Sequence, residues 1–593
     1  MRKKAIVFLL VLLSIASISA ENLQKVYTTR DSIYKQVEAL CSQAGVIGPS
    51  SFSPMPARAL IIALDRINPE TLSQAEIKEY NELYSILTGE DHLVQEEYFT
   101  FDIKAGANLG FNIADYSDFN YGHTNSDVPE YDRREDTLIP YRYEDAALSF
   151  GLDMTFGDYI SLEAQYDLKN RNQLMQESTF GWLYSSLIPQ KNGVLTGLAT
   201  EFPYRAGASV GNNYFNFIIG RFPHSIGSGI TGNLLVGDNF NYQEASNISL
   251  MSNFFTYNIS ITRFDQQNIH ADNPNYTDFS RSEFDGMQQF RVLHRFDVNI
   301  VDKARIALNL ATIYNSHYGL DIRFFYPFVL GHNYYNYTNG IEKTDFDEAN
   351  NIMSIEAEWN IIKGLTASVQ LAVDQFQMFW EDKSSLPIAY GILGNLKYTR
   401  NLGKGTLRTW FEAVYTNPYL YLNGKRYNDG LETYIDYNLD YIVGYNMQYM
   451  DDFGYSGYVY GPDSIVFSLG ASYADAEEKF EAGGSLLYRI QGLKHLKINA
   501  ADDFNTIIDM GNSVIEENPE DFMNNLSAPS GGWKQAEHLL KLSGYGIYNF
   551  DMDNWGIISV YGAVGFNTYF NFDYKAGNTE FQPQMTIGAK WKY

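Results

Sequence analysis

Beyond its first twenty residues the chain has no unbroken apolar run of the roughly 20 residues that a bilayer-spanning helix requires, which excludes an inner-membrane helical protein. Cysteine is nearly missing. Cys41 stands alone, so no intrachain disulfide can staple the fold, and a small buried role on a helix is expected for it. Positive charge is also scarce. The 43 Lys and Arg face 71 Asp and Glu for a formal net charge of −28, a field that repels nucleic acid. The nine histidines are scattered at 92, 123, 224, 270, 294, 317, 332, 495 and 538. None has ligand spacing, so no transition-metal site and no other cofactor is expected. His294 and the pair His332-Asn333 are where a hydrolytic role can be imagined, but the sequence assembles no triad and no enzyme is expected.

What is present begins at the N-terminus. Arg2, Lys3 and Lys4 precede an apolar run from Ala5 to Leu13 and a small-residue finish at Ser17-Ile18-Ser19-Ala20, the pattern of a secretory signal peptide over residues 1–20. No cysteine follows that would accept a lipid. Aromatic residues make up 15% of the chain, with Tyr (46) far ahead of Trp (7), and that suits a barrel with aromatic girdles, a polar lumen and polar loops.

Residues 21–95 read as a helical head. Thr28-Thr29-Arg30-Asp31 matches a capping box, followed by Ile33, Val37, Leu40 and Cys41 at helical spacing and by Gly45 as a stop. A second helix is predicted to start at Pro56 and bury Leu60, Ile61, Leu64 and Ile67. A third follows Ser73-Gln74-Ala75-Glu76, with Ile77, Tyr80, Tyr84 and Leu87 on one face. Helices this short need each other or a barrel wall to be stable.

At Phe99 the period changes to two. Phe99, Phe101, Ile103, Ala105, Ala107, Leu109, Phe111 and Ile113 alternate with polar or small residues, a run longer than the roughly 9–11 residues of a tilted membrane strand. Hairpins repeat the pattern around Gly157-Asp158, Asp302-Lys303, Lys363-Gly364, Asn401 to Gly405 and Ala476 to Lys479. The other connections, roughly 114–145, 169–195, 265–286, 315–350, 417–430 and 505–535, are long, polar and rich in Asn, Asp and Tyr. Short turns at one end and long loops at the other predict a transmembrane antiparallel β-barrel over residues 96–593, of 16 to 20 strands, in the bacterial outer membrane. The chain ends Met585 to Tyr593 in strict alternation, so a final strand with a terminal aromatic should pair with the first and serve the barrel-assembly machinery. The alternative, a secreted β-sandwich or propeller, has shorter strands with polar outer faces.

The segment Gly220 to Asn239 is dense in glycine and follows a strand without being one. No βαβ unit surrounds it, so phosphate cradling is a poor reading, and a backbone that folds inward across the lumen or forms a tight rim loop explains the glycines better. Acidic clusters at Asp127 to Asp136, Asp345 to Glu348 and Glu516 to Asp521 read as solvated loop charges, with Ca²⁺ or Mg²⁺ bridging as the other use. Inward-facing Asp102, Glu163, Asp167, Glu356 and Glu358 would give an acidic lumen.

The glycine-rich segment resembles the capsule assembly Wzi family of outer-membrane barrels. Gly220, Arg221, Ser225, Gly227, Gly229, Leu234, Leu235, Asp238 and Asn239 match that family's pattern, while Ile226 stands at its usual Trp and Phe240 at its usual Ala. Val46-Ile47, Pro54-Met55-Pro56 and the strand Leu365 to Phe376 with Val373-Asp374-Gln375 are similar to further parts of it. The resemblance implies an eighteen-stranded barrel closed from the periplasmic side by its helical bundle. It also implies surface polysaccharide as partner, bound through extracellular loops, besides outer-membrane lipid. The candidate ligand-binding residues are then Arg221, Ser225, Asp238 and Asn239 from the matched segment, and the loop aromatics Tyr334, Tyr335, Tyr337, Tyr455, Tyr458 and Tyr460. The competing reading of the same residues is a porin or substrate-specific channel with an acidic lumen.

Overall fold

The computed structural model describes residues 22–89, 94–96, 99–114, 134–143, 145–168, 183–185, 205–264, 288–316, 319–326, 350–375, 388–421, 423–428, 433–438, 442–446, 451–475, 479–493, 527–552 and 555–593. The expected signal peptide lies outside them, as do Tyr334, Tyr335 and Tyr337.

Alternation at period two puts every second side chain on one face, and eighteen long antiparallel strands use it to close a barrel. In chain order they are β1 (Phe99–Ala114), β2 (Leu148–Phe156), β3 (Ile160–Leu168), β4 (Arg205–Gly211), β5 (Phe215–Phe222), β6 (Gln243–Met251), β7 (Phe255–Phe264), β8 (Gln288–Val301) and β9 (Ala304–Ser316). The second half comprises β10 (Asn350–Ile362), β11 (Leu365–Gln375), β12 (Ala389–Leu402), β13 (Gly405–Thr416), β14 (Ser464–Asp475), β15 (Phe480–Gln491), β16 (Glu537–Asp551), β17 (Ile557–Phe570) and β18 (Thr579–Lys592). Each pairs with the next, and β18 closes on β1 through the register Gln584↔Ala114 to Lys592↔Gly106. Backbone bonds exchanged between Tyr593 and Ala105 finish the seam. No unpaired edge is left there to face hydrocarbon.

The outward rows are apolar and exposed. On β10, Met353, Ile355, Trp359 and Ile361 point out, while Asn350, Ile352, Ser354, Glu356 and Asn360 are buried on the other face. Tyr159, Tyr214, Phe254, Trp359, Trp555 and Tyr593 stand exposed near the short-turn end, where an aromatic girdle meets the membrane interface. The protein is an outer-membrane barrel.

The helical head sits at the short-turn end of the lumen. Helix α1 (Ser32–Ala44) starts at Asp31 without a side-chain cap. Thr28 instead donates to the Asp31 carboxylate from its backbone N and hydroxyl, so the expected box is not formed and the helix begins later than its motif. Helix α2 (Ala57–Leu64) follows Pro56, and α3 (Gln74–Thr88) carries the complete Ser73/Glu76 capping box and ends on Gly89 in the left-handed region. The three pack around Val37, Leu40, Cys41, Leu60, Ile61, Leu64, Leu83 and Leu87.

Polar bonds tie this bundle to inward-facing strand residues. Glu38 pairs with Lys397 at 2.9 Å, Gln43 donates to Asn401 and Asn360 donates to the Ser42 carbonyl. The Arg305 guanidinium donates to the carbonyls of Gly48 and Pro49. Deeper in the wall, Arg295 pairs with both Asp297 and Glu356 at 2.9 Å, buried.

Candidate functional site

Nearer the long-loop end the inward rows turn apolar. Phe264, Leu293, Ile313, Ile352, Leu393, Val414, Val466 and Leu487 are all buried in one cluster with Leu234, Leu235, Val236 and Phe240 of the glycine-rich segment. The barrel therefore has a hydrophobic core inside its lumen. Of the two readings of that segment, the inward fold is the one observed, and the inward rows expected to be polar turn apolar around it.

Carbonyls and amides of residues 225–239 would be stranded in such a place without partners, and the wall supplies them. The Glu412 carboxylate accepts from the backbone N of Ile230 and Thr231 and from the Thr231 hydroxyl. Gln370 bonds both Asn233 and the Leu234 amide, and Asn395 donates to the Ser228 carbonyl. Glycine is required where the chain passes closest. A Cβ on Gly237 would overlap the Gly457 carbonyl, and Gly232, at φ +151, passes under the Tyr458 ring. Phe52 and Ser53, from the stretch between α1 and α2, add a two-residue strand to Ser225–Ile226, so the head reaches the same layer.

The matched residues join this layer in different ways. Ser225 is buried and accepts from the Asn233 amide. Asn239 donates to the carbonyls of Tyr455 and Gly457. Asp238 accepts from Arg30 at 2.7 Å and from the Tyr143 hydroxyl at 2.9 Å. Burial pushes the Asp238 carboxyl up, but Arg30, with help from Arg142 and Tyr143, outweighs that and holds it below its ordinary value. Arg221 parts company with the others. It stacks over Tyr242 at 3.6 Å and lies 3.7 Å from Glu244, on the outward row of β5. Tyr455, Tyr458 and Tyr460 are buried in the lumenal core, with Tyr458 bonded to the Thr231 hydroxyl, and offer no ring face to the exterior.

Sequence reading did not single out the residues that converge on Asp238. Arg30 comes from the head, Tyr143 and Arg142 from the β1–β2 connection, and the Arg30 guanidinium also donates to the carbonyls of Phe240, Asn241 and Arg142. Residues 134–143 are fixed to the opposite wall. There the buried Asp136 carboxylate accepts from Arg489 at 2.8 Å and from Tyr569, and Lys541 donates to the carbonyls of Glu135 and Thr137. An acidic loop cluster thus includes a buried structural carboxylate, and the lone cation of a capping-box motif turns out to be a bridge. Glu412, an acid between Trp410 and Val414 on an inward row, is the one signal that alternation could have exposed.

His224 extends the network. Because an Arg291 guanidinium nitrogen lies 3.1 Å from its Nδ1 and can only donate, Nε2 carries the proton and donates to Ser260. His294, by contrast, lies on the outward row of β8 between the Tyr257 hydroxyl and the Phe324 carbonyl.

No family model matches the chain, and no curated protein matches it. Among solved structures it superposes on Wzi of Escherichia coli, an outer-membrane protein described as involved in group 1 capsule assembly and as a carbohydrate-binding β-barrel. The TM-score is 0.51 at 13% identity, covering 95% of this chain and 98% of that one. OccK11 of Pseudomonas aeruginosa (TM-score 0.35, 7% identity, 83% of this chain and 95% of that one) and the channel DcaP of Acinetobacter baumannii (0.32, 8%, 85% and 99%) are more distant. The likeness to Wzi shows that the two chains share one fold.

Proposed function

We propose that this barrel is a surface-polysaccharide-binding protein of the outer membrane, with a lumen occupied by its own loops and head. The observation that carries the reading is the apolar core within the lumen. A diffusion pore keeps its constriction polar and wet, whereas here Leu234, Leu235, Val236, Phe240 and Tyr458 fill it. The bridge of Arg30 to Asp238 supports it further, because the periplasmic head and the loop of the opposite end are bonded directly. The carbohydrate-binding description of the E. coli barrel adds support by analogy of fold. In this reading the long loops outside the plug, including the sequence around Tyr334, Tyr335 and Tyr337, form the glycan-facing surface.

A glycan array probed with the purified barrel should give saturable signals for surface polysaccharides. A flat array would overturn the reading. Single-channel recording in planar bilayers should show no steady large conductance, and such a conductance would establish the channel alternative instead.

A further inference from the structure

The core does not fill the whole lumen. A cavity of about 240 Å³ remains against the wall made by β16, β17, β18 and β1, roofed by Leu138, Ile139 and Tyr143 of the inward-folded segment. This is just under the roughly 300 Å³ at which drug-sized sites begin, so it is sized for one ring-shaped molecule. Tyr545 and Lys104 are inward-facing residues, yet Tyr545 is 37% exposed and the Lys104 side chain 52%.

The wall of this cavity is unusual in how its tyrosines lie. A Cβ on Gly588 would come within 2.5 Å of the Tyr561 ring, and one on Gly110 within 2.6 Å of its hydroxyl. The tip of the Tyr561 ring therefore crosses backbone that only glycine leaves open, with its hydroxyl anchored on the Asn108 side chain at 2.9 Å. Tyr545 repeats the device one strand away. A Cβ on Gly483 would meet it at 2.8 Å, and its hydroxyl is anchored on Glu481 at 2.7 Å. Both tyrosines line the cavity. Beside them Lys590 and Asp145 form an ion pair at 3.0 Å, with the Lys590 ammonium 5.8 Å from the centre of the Tyr561 ring.

Flat aromatic faces suit the C–H face of a pyranose, and a paired ammonium and carboxylate with a nearby amide offer donors and acceptors to ring hydroxyls. The charges at the wall cancel, and the chain's acidic field disfavours an anion. We propose that this cavity is a binding site for a single neutral sugar ring, formed by Tyr143, Tyr545, Tyr561, Asn108, Asp145 and Lys590. It stands on its own geometry and is separate from the loop surface assigned above.

The test is saturation-transfer difference NMR on the barrel in amine-oxide micelles, which carry no sugar headgroup, with glucose and glucuronic acid as probes. Glucose should bind saturably in the millimolar range, and glucuronic acid more weakly. Tyr561→Ala and Gly588→Val, which remove or displace the platform, should each weaken binding about tenfold, while Tyr561→Phe keeps it. Heat-modifiable gel migration identifies any variant that does not close its barrel, and Tyr545→Ala replaces one that fails. Absence of glucose binding to the wild-type barrel, or equal binding by Tyr561→Ala, overturns the proposal. Polysaccharide binding by intact cells should be unchanged in the Tyr561 variants, so a failure of this site and a failure of the loop surface are read separately.

Discussion

Strands β5–β13 and strands β14–β18 with β1 follow the same alternation, yet their inner faces meet different neighbours. On the first group, inward polar side chains such as Arg295, Arg305, Asn360 and Gln370 are buried against the head and the glycine-rich segment. On the second, among the described residues, the covering is thinner: residues 134–143 lie against the upper wall, and the cavity opens beside them. What a lumen-facing position does is thus decided by which chain segment comes to cover it, and the strand pattern is silent about that. The contrast also predicts where the barrel is fragile: charges that a covering segment seals from water, such as Arg295, against charges left half exposed, such as Lys104, which can exchange partners for solvent.

The largest expected effect comes from breaking the covered half at an enclosed ion network. Arg295→Ala leaves the carboxylates of Asp297 and Glu356 buried without their cation and should cost about 3–5 kcal/mol. Urea titration of the refolded barrel should show it as an earlier midpoint. Lys104→Ala on the open half, where the side chain is half exposed, should move the midpoint little. Equal effects from the two would dissolve the distinction between the halves.

A smaller effect is expected at the bridge between head and loops. Arg30→Ala removes a charged hydrogen-bond donor from Asp238 and should cost about 1–3 kcal/mol. It also carries a pH signature. The folded Asp238 value lies below the unfolded one, so its contribution is complete above the ordinary carboxylate range of about 3.9 and is lost as pH falls through the depressed value. Asp238→Asn should therefore flatten the acid limb of the stability profile. An unchanged limb would mean that other carboxylates set it.

Fold and topology were legible because period-two alternation over a dozen residues has one stable answer in a membrane, and because hairpin turns such as Asp302-Lys303 announce themselves. The lumen was harder to read. Tyr455, Tyr458 and Tyr460 look like any loop aromatics, and only three-dimensional placement reveals that they are buried in the lumenal core, with Tyr458 over Gly232. The glycines did hint at inward folding, since a close approach of backbone needs them. The partners of Asp238 lie far off in sequence, with Arg30 208 residues away, and no local pattern encodes such a pairing. The tyrosine platforms escaped for a related reason: Tyr561 and Gly588 sit on different strands, and their relation exists only once the register is known.

The smallest perturbation is a chemical one, and it reads how firmly the covered half is held. Cys41 is fully buried between helices of the head, and burial pushes its thiol up to about 12. At neutral pH it is protonated and out of reach, so a maleimide can modify it only through opening of the bundle. Labelling of the native barrel should therefore be slow and complete only in denaturant. In Arg30→Ala the head loses its tie to the loop, and the labelling rate should rise by more than the shift of the global midpoint accounts for, about tenfold for each 1.4 kcal/mol by which opening of the head alone is eased. A rate that follows the global midpoint instead would mean that head and barrel open as one unit. A rate that ignores the substitution would mean that the head is held by its wall contacts, such as those at Glu38, Ser42, Gln43 and Gly48.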